Sequence, residues 1–278
     1  MTIWEAILLG IVEGVTEFLP ISSTGHLTIL EKLLGYPIND ADITAFTAII
    51  QIGAVLATLL FFRNDILRIA LAWMKGLIHK SERRDADYRF GWAILLGSLP
   101  IGIIGLLFQH HIETTLRSLW VVALALILWS GVMWVADRYA AQNRHEDAVT
   151  WKDTIIIGVV QCLALIPGVS RSGATMSAGL FRGFDRVTVT KLSFFLSIPA
   201  LLAAGTLQTI ENIDTISNGV GWLPTITATI VSFVVAYISV AWLLKFIAKH
   251  SYSVFIWYRL ALGSVLILLL LTNTITAT

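Results

Sequence analysis

Residues 4–35 read WEAILLGIVEGVTEFLPISSTGHLTILEKLLG. The run is apolar enough for a membrane helix, yet it carries Glu5, Glu13 and Glu17 and is interrupted at Pro20. Proline lacks a backbone N–H and crowds the preceding turn, so a helix tends to stop there. The stretch therefore predicts a short helix, a polar turn and a second short helix rather than one crossing. Residues 153–183, DTIIIGVVQCLALIPGVSRSGATMSAGLFRG, repeat this pattern, with the break at Pro167-Gly168 and Arg171 just beyond it. Both segments read as re-entrant hairpins that dip into a bilayer and return to the same side. Non-helical backbone at that depth must be buried in protein or line a wet cavity.

Outside the hairpins, six stretches reach the roughly 20 apolar residues that a helical crossing needs. They are residues 43–62, 90–109, 117–137, 188–209, 221–246 and 254–272. Composition agrees: 56% of the 278 residues are hydrophobic and only 13% are charged. Such a chain needs lipid as solvent for much of its surface. The expected fold class is an all-α integral membrane protein, one polytopic domain of six transmembrane helices and two re-entrant hairpins. A formal net charge of +1 argues against a nucleic-acid partner. The single cysteine, Cys162, excludes an intramolecular disulfide and is expected to pack. The opening residues have no basic n-region and no small-residue cleavage site, so no removable signal peptide is expected.

Lysine and arginine fix the orientation. On this map fifteen fall on one side and two, Lys32 and Arg117, on the other. The positive-inside rule makes the rich side cytoplasmic and places both termini outside. Residues 64–80 mix apolar and basic positions and predict an amphipathic helix at the cytoplasmic surface. The ten tryptophans read as interface anchors and lipid-facing packing. Glu5 is expected at the interface. His79, His110, His111, His145 and His250 are expected in solvated loops or at span ends. Arg259, near a span end, is expected to snorkel.

The hairpins resemble each other. Aligning Gly10 with Gly158 places Ser22 on Ser170, Gly25 on Gly173 and Phe46 on Phe194. This predicts repeats over about 1–137 and 153–272. Each is one hairpin plus three crossings, so the second must be inverted, with the hairpin tips meeting near the midplane.

The chemistry sits at the two breaks. Glu13 and Glu17 are four apart and share a helix face. Ser22 or Ser23 is placed to cap the following helix, and His26 lies one turn beyond Ser23. A serine near a histidine is the minimum for an activated hydroxyl nucleophile. In the second break Ser170, Ser172 and Thr175 offer hydroxyls beside Arg171, whose planar fork suits phosphate. A charged side chain at the bilayer centre costs about 2.5–3.5 kcal/mol, so Glu13, Glu17 and Arg171 need partners. Those partners are one another, a divalent cation or a bound phosphate. Two carboxylates plus a diphosphate would hold Mg²⁺ or Ca²⁺ in the oxygen shell these ions prefer. A purely structural ion pair is the plainer alternative.

The runs Glu13-x-x-x-Glu17-Phe-Leu-Pro20-x-Ser22-Ser23-Thr24-Gly25-His26 and Pro167-Gly-x-Ser170-Arg171-Ser172-x-x-Thr175 resemble, without departure, the signatures of the undecaprenyl-diphosphate phosphatase family, the bacitracin-resistance type. The resemblance implies an inner-membrane enzyme that hydrolyses undecaprenyl diphosphate to the monophosphate and recycles the carrier for peptidoglycan synthesis. It implies Mg²⁺ or Ca²⁺ dependence and a site reached from the periplasm. It carries catalytic or metal roles to Glu13, Glu17, Ser23, His26 and Arg171. Substrate binding falls to Ser22, Thr24, Ser170, Arg171, Ser172 and Thr175. The expected route is attack by Ser23 with His26 taking its proton, or attack by water with His26 or a glutamate as base. A homodimer is compatible with the sequence. A transporter or lipid flippase would share the broken helices but has no need of a Ser–His pair. An acid-phosphatase-like lipid phosphatase would need a more basic cradle.

Overall fold

The computed structural model describes residues 1–278 except Asn39, Thr114, Thr115 and Thr278, with backbone alone for 109–113. The expected positions of His110 and His111 therefore lie outside the described side chains. Twelve α-helices run in order among the described residues: α1 (Ile3–Thr16), α2 (Ser23–Leu33), α3 (Ala41–Phe61), α4 (Arg63–Ile78), α5 (Ala86–Glu113), α6 (Leu119–Tyr139), α7 (Trp151–Gln161), α8 (Arg171–Phe181), α9 (Arg186–Glu211), α10 (Ile213–Asn218), α11 (Trp222–Ile247) and α12 (Ser253–Leu271). A lone bridge between Arg144 and Phe184 is the one β-type contact among them.

Six of these helices, α3, α5, α6, α9, α11 and α12, are long and apolar enough to cross a membrane. Their bounds fall within a few residues of the stretches read from sequence. The residues 64–80 stretch forms α4, with Leu67, Leu71, Met74 and Ile78 exposed along one side. On α11, Leu223, Ile226, Ile230, Val234 and Ile238 form an exposed stripe at helical spacing. In lipid such a stripe is solvated, so it gives no drive for helices to associate. Close packing must supply that drive instead. A Cβ on Gly10 would stand 2.6 Å from the Ala228 carbonyl oxygen of α11, and one on Gly158 1.9 Å from the Gly97 carbonyl oxygen of α5. Glycine at these aligned positions lets α1 lie against α11 and α7 against α5, the backbone-to-backbone approach small residues permit.

Both hairpins are helix–break–helix units, α1–α2 and α7–α8, with Pro20 and Pro167 inside the breaks. At each break a serine adopts a left-handed backbone: φ is 77° at Ser22 and 77° at Ser170. This conformation is costly for a residue with a Cβ. It turns each serine so that its own hydroxyl caps the next helix. Ser22 Oγ accepts from Gly25 N at 3.3 Å, and Ser170 Oγ from Gly173 N at 3.1 Å.

At the helix ends opposite the chain termini, charged groups clasp the bundle. Arg144 and Arg182 both pair with Asp153, at 2.8 and 2.9 Å. Arg186 donates to Asp137 at 2.6 Å, and Asp137 also accepts from Tyr252 N. His145, expected to be solvated, is exposed but pairs with Asp185 at 2.8 Å. Glu5, expected at the interface, completes a capping box with Thr2 at the start of α1. Cys162 is half-buried and donates to the Gly158 carbonyl, consistent with packing.

Arg259 corrects the sequence reading. It does not snorkel; it is 0% exposed. Its guanidinium donates to the carbonyls of Gly168 (2.9 Å) and Pro20 (3.3 Å) and to Ser130 Oγ (3.1 Å). One side chain from α12 thus ties both breaks together.

Candidate active site

The two breaks meet. Arg171 donates to Glu17 Oε1 at 2.8 Å, joining the second hairpin to the first. Ser172 donates to the Leu19 carbonyl at 2.9 Å, a second link between them. Glu17 also accepts from Ser23 Oγ at 2.5 Å. The guanidinium of Arg171 lies 5.8 Å above the Phe18 ring. Its Nη1 is buried with no hydrogen-bond partner. Glu13, one turn before Glu17, is 0% exposed, and neither of its oxygens has a partner.

The expected Ser23–His26 pair does not form. Ser23 turns to Glu17, and both nitrogens of His26 are engaged elsewhere. Nδ1 meets the Ser22 carbonyl at 2.7 Å, and Nε2 meets the Tyr258 hydroxyl at 2.7 Å. A carbonyl only accepts, so Nδ1 carries a proton, and in the neutral ring Nε2 accepts from Tyr258. The two rings also stack, with centroids 5.5 Å apart. Neither Tyr258 nor Arg259 belongs to either motif, and sequence reasoning missed the role of both. The available signal was an arginine well inside an apolar helix, which is costly without a local reason.

A cavity of about 830 Å³ opens on this cluster. Its polar end holds Glu17, Ser22, Ser23, Thr24, Ser170 and Arg171. The rest is mainly apolar, with Leu95, Leu99, Ile103 and Leu106 of α5 facing Pro199 and Leu207 of α9. Two expected phosphate ligands are spent on packing. Besides Leu19, Ser172 Oγ meets Ser170 Oγ at 3.1 Å. Thr175 Oγ1 donates to Ser193 Oγ of α9 at 2.7 Å. Both residues are 1% exposed, so they hold the second hairpin in place.

For a divalent cation, no three His, Cys, Asp or Glu side chains converge among the described residues. Glu13 and Glu17 are the carboxylates available here. The unpartnered buried oxygens of Glu13, one turn from Glu17, fit a cation held with that second carboxylate.

A family model described as "Bacitracin resistance protein BacA" matches residues 6–265. The chain is 66% identical over 278 residues to undecaprenyl-diphosphatase 3 of Frankia casuarinae, covering 100% of both chains. It is 58% identical to the undecaprenyl-diphosphatase of Cutibacterium acnes, covering 98% of this chain and 99% of that one. It is 50% identical to undecaprenyl-diphosphatase 1 of Streptomyces coelicolor, covering 99% and 98%. With the family model covering both breaks, five apolar helices in full and most of the sixth, the chain is a multi-pass membrane protein that belongs to the bacitracin resistance protein BacA family.

Proposed function

We infer that this chain hydrolyses undecaprenyl diphosphate to undecaprenyl phosphate and inorganic phosphate, recycling the lipid carrier. Resistance to bacitracin follows from the same activity. The observation that carries the reading is one cavity with two chemistries. Its polar end presents a hydroxyl, a carboxylate and a guanidinium, and its aliphatic walls suit a prenyl chain. We place the protein in the bacterial inner membrane, with both termini and the polar mouth on the periplasmic side. The hairpins are re-entrant, and the halves about 1–137 and 153–272 are inverted repeats, supported by the shared backbone of Ser22 and Ser170.

The mechanism begins with Arg171. Its unpartnered Nη1 takes an oxygen of the terminal phosphate. Phosphate then competes for the rest of the guanidinium, loosening its hydrogen bond to Glu17 and freeing that carboxylate to act on Ser23. Ser23 Oγ attacks the terminal phosphorus while Glu17 accepts its proton over the existing 2.5 Å hydrogen bond. The bond from phosphorus to the bridging oxygen breaks, and undecaprenyl phosphate leaves. Glu17 passes the serine proton to the departing phosphate oxygen and is ionised again. Water then attacks the phosphoserine as Glu17 takes its proton, the bond from Ser23 Oγ to phosphorus breaks, and Glu17 returns that proton to Oγ, so inorganic phosphate is released with the Ser23 hydroxyl restored. His26 is a positioning residue, fixing the first turn of α2 through the Ser22 carbonyl and Tyr258. Ser22, Thr24 and Ser170 line the phosphate end, while Ser172 and Thr175 brace it. Glu13 and Glu17, with substrate oxygens, would hold Mg²⁺ or Ca²⁺. When bound, that ion would offset the negative charge of the diphosphate.

The test is phosphate release from undecaprenyl diphosphate by purified protein, with Mg²⁺ or Ca²⁺ and with chelator. Glu17→Gln should lower kcat by about 10²–10⁴-fold, the usual worth of a positioned base. Ser23→Ala should form no phosphoenzyme. Undiminished turnover in Ser23→Ala would exclude the serine route.

A further inference from the structure

A second cavity, of about 210 Å³, opens beside the first. The two share Thr24, Gln51, Ala164 and Leu165 in their walls, so the smaller space adjoins the one that holds Ser23. The chemistry changes between them. The smaller cavity adds Thr44, Thr47 and Arg117. Arg117 donates to Thr44 Oγ1 at the start of α3, which fixes the guanidinium at the mouth. This mouth lies on the face that carries the chain ends: Leu119 N, two residues beyond Arg117, donates to the Ala277 carbonyl.

Hydrolysis makes two products with different needs. Undecaprenyl phosphate keeps its chain in lipid and can leave sideways along the aliphatic wall. Inorganic phosphate is a small hydrated anion, and an aliphatic groove offers it no hydrogen bonds. We propose that the Arg117 cavity is a second phosphate site, the exit through which inorganic phosphate leaves Arg171 for the aqueous face. At about 210 Å³, against about 830 Å³ for its neighbour, it suits free phosphate and lacks the long apolar wall that a lipid headgroup's chains would need. Arg117 is the one basic side chain in the wall of the smaller cavity, so the site is expected to bind weakly. A product exit must release as readily as it receives.

This inference rests on the phosphatase reading, and the experiment separates the two. Turnover of undecaprenyl diphosphate by the purified full chain is measured against added orthophosphate, with binding of radiolabelled orthophosphate followed in parallel without lipid substrate. The expected result is that Arg117→Gln weakens orthophosphate inhibition by about tenfold, the loss of one charge-assisted contact. The KM for lipid should stay unchanged, and Arg117→Lys should be intermediate. Orthophosphate binding should survive Arg171→Ala and weaken in Arg117→Gln. Unchanged inhibition in folded Arg117→Gln overturns the exit site. Should that variant fail to fold, unchanged inhibition in Arg117→Lys and Thr47→Val does the same. A KM that rises in step with the loss of inhibition also overturns it, because Arg117 would then hold the substrate. An inactive wild-type protein would refute the phosphatase reading instead.

Discussion

Replacing Arg259 by methionine should disable the enzyme without touching a reacting group. The side chain is fully buried and serves three acceptors at 3.3 Å or closer: the Gly168 and Pro20 carbonyls and Ser130 Oγ. The two carbonyls belong to the breaks, where no helix offers them an N–H. Methionine fills much of the volume but leaves them unpaired, at about 1–3 kcal/mol for each buried orphan. Against this, the substitution removes a buried charge whose desolvation opposes folding by several kcal/mol. The net expectation is a loss of at most about 3 kcal/mol, concentrated where the breaks meet. Thermal unfolding of the detergent-purified protein should show a lower midpoint. In the folded fraction kcat should fall far more than KM rises, because Ser23, Glu17 and Arg171 are aligned by the breaks that Arg259 joins. Arg259→Lys should rescue only partly, since one ammonium cannot span three acceptors on separate elements. Ser130→Ala, which leaves the Arg259 Nε–H unpaired but keeps both break carbonyls held, should cost about 1–3 kcal/mol and leave kcat within a few-fold. An Arg259→Met protein with wild-type midpoint and kcat would refute the assignment.

Gly158→Ala should destabilise by about 1–3 kcal/mol, because its Cβ would meet the Gly97 carbonyl oxygen at 1.9 Å and backbone must move. Gly131→Ala, whose Cβ meets nothing within 4 Å, should instead stabilise by about 0.5–1 kcal/mol in the same unfolding measurement. Burial alone would push the Asp153 carboxyl up, but hydrogen bonds from Arg144, Thr150 and Arg182 outweigh it and hold it well below the usual carboxylate range. Its contribution is therefore present above the unfolded value, near about 4, and is lost as pH falls through the lower folded one. Asp153→Asn should cost about 1–3 kcal/mol at pH 7, and the gap to wild type should narrow in unfolding curves taken below about pH 4.

The spans and breaks were legible in the sequence because one physical rule governs each. Length and hydropathy set α3, α5, α6, α9, α11 and α12, and proline beside polar and charged residues marked the two breaks, whereas Pro100 and Pro199 in apolar surroundings stay inside α5 and α9. The Glu17–Arg171 pairing was legible too, as the plain consequence of charges that need partners in lipid. The partner of Ser23 was not. Spacing along α2 put His26 one turn away, but Glu17 lies across the Pro20 break, where helical periodicity no longer predicts direction. Arg259 was misread for a similar reason. Distance from a span end says how far a side chain can snorkel, but helix register decides which way it points. Trp257 and Tyr258 of the same turn face outward and leave Arg259 facing in.

The proposed inverted repeat explains why one site arises from two similar halves. On the alignment that pairs Ser22 with Ser170, both serines take the same strained backbone and cap the same way. The fold therefore offers two equivalent positions, and the side chains there differ. Ser23 corresponds to Arg171, and Glu17 to Leu165. Had the halves stayed identical, the contact between positions 17 and 171 would pair a glutamate with a serine or a leucine with an arginine, and the charge would have no ionic partner there. Divergence supplies that partner as a 2.8 Å ion pair, with the proposed nucleophile and base on the first hairpin and the proposed phosphate fork on the second. Glu13 and its counterpart Gln161 preserve a trace of the older equivalence. Both are fully buried and both lack hydrogen-bond partners, yet only Glu13, on the side of the proposed nucleophile, has the carboxylate that the proposed cation would need.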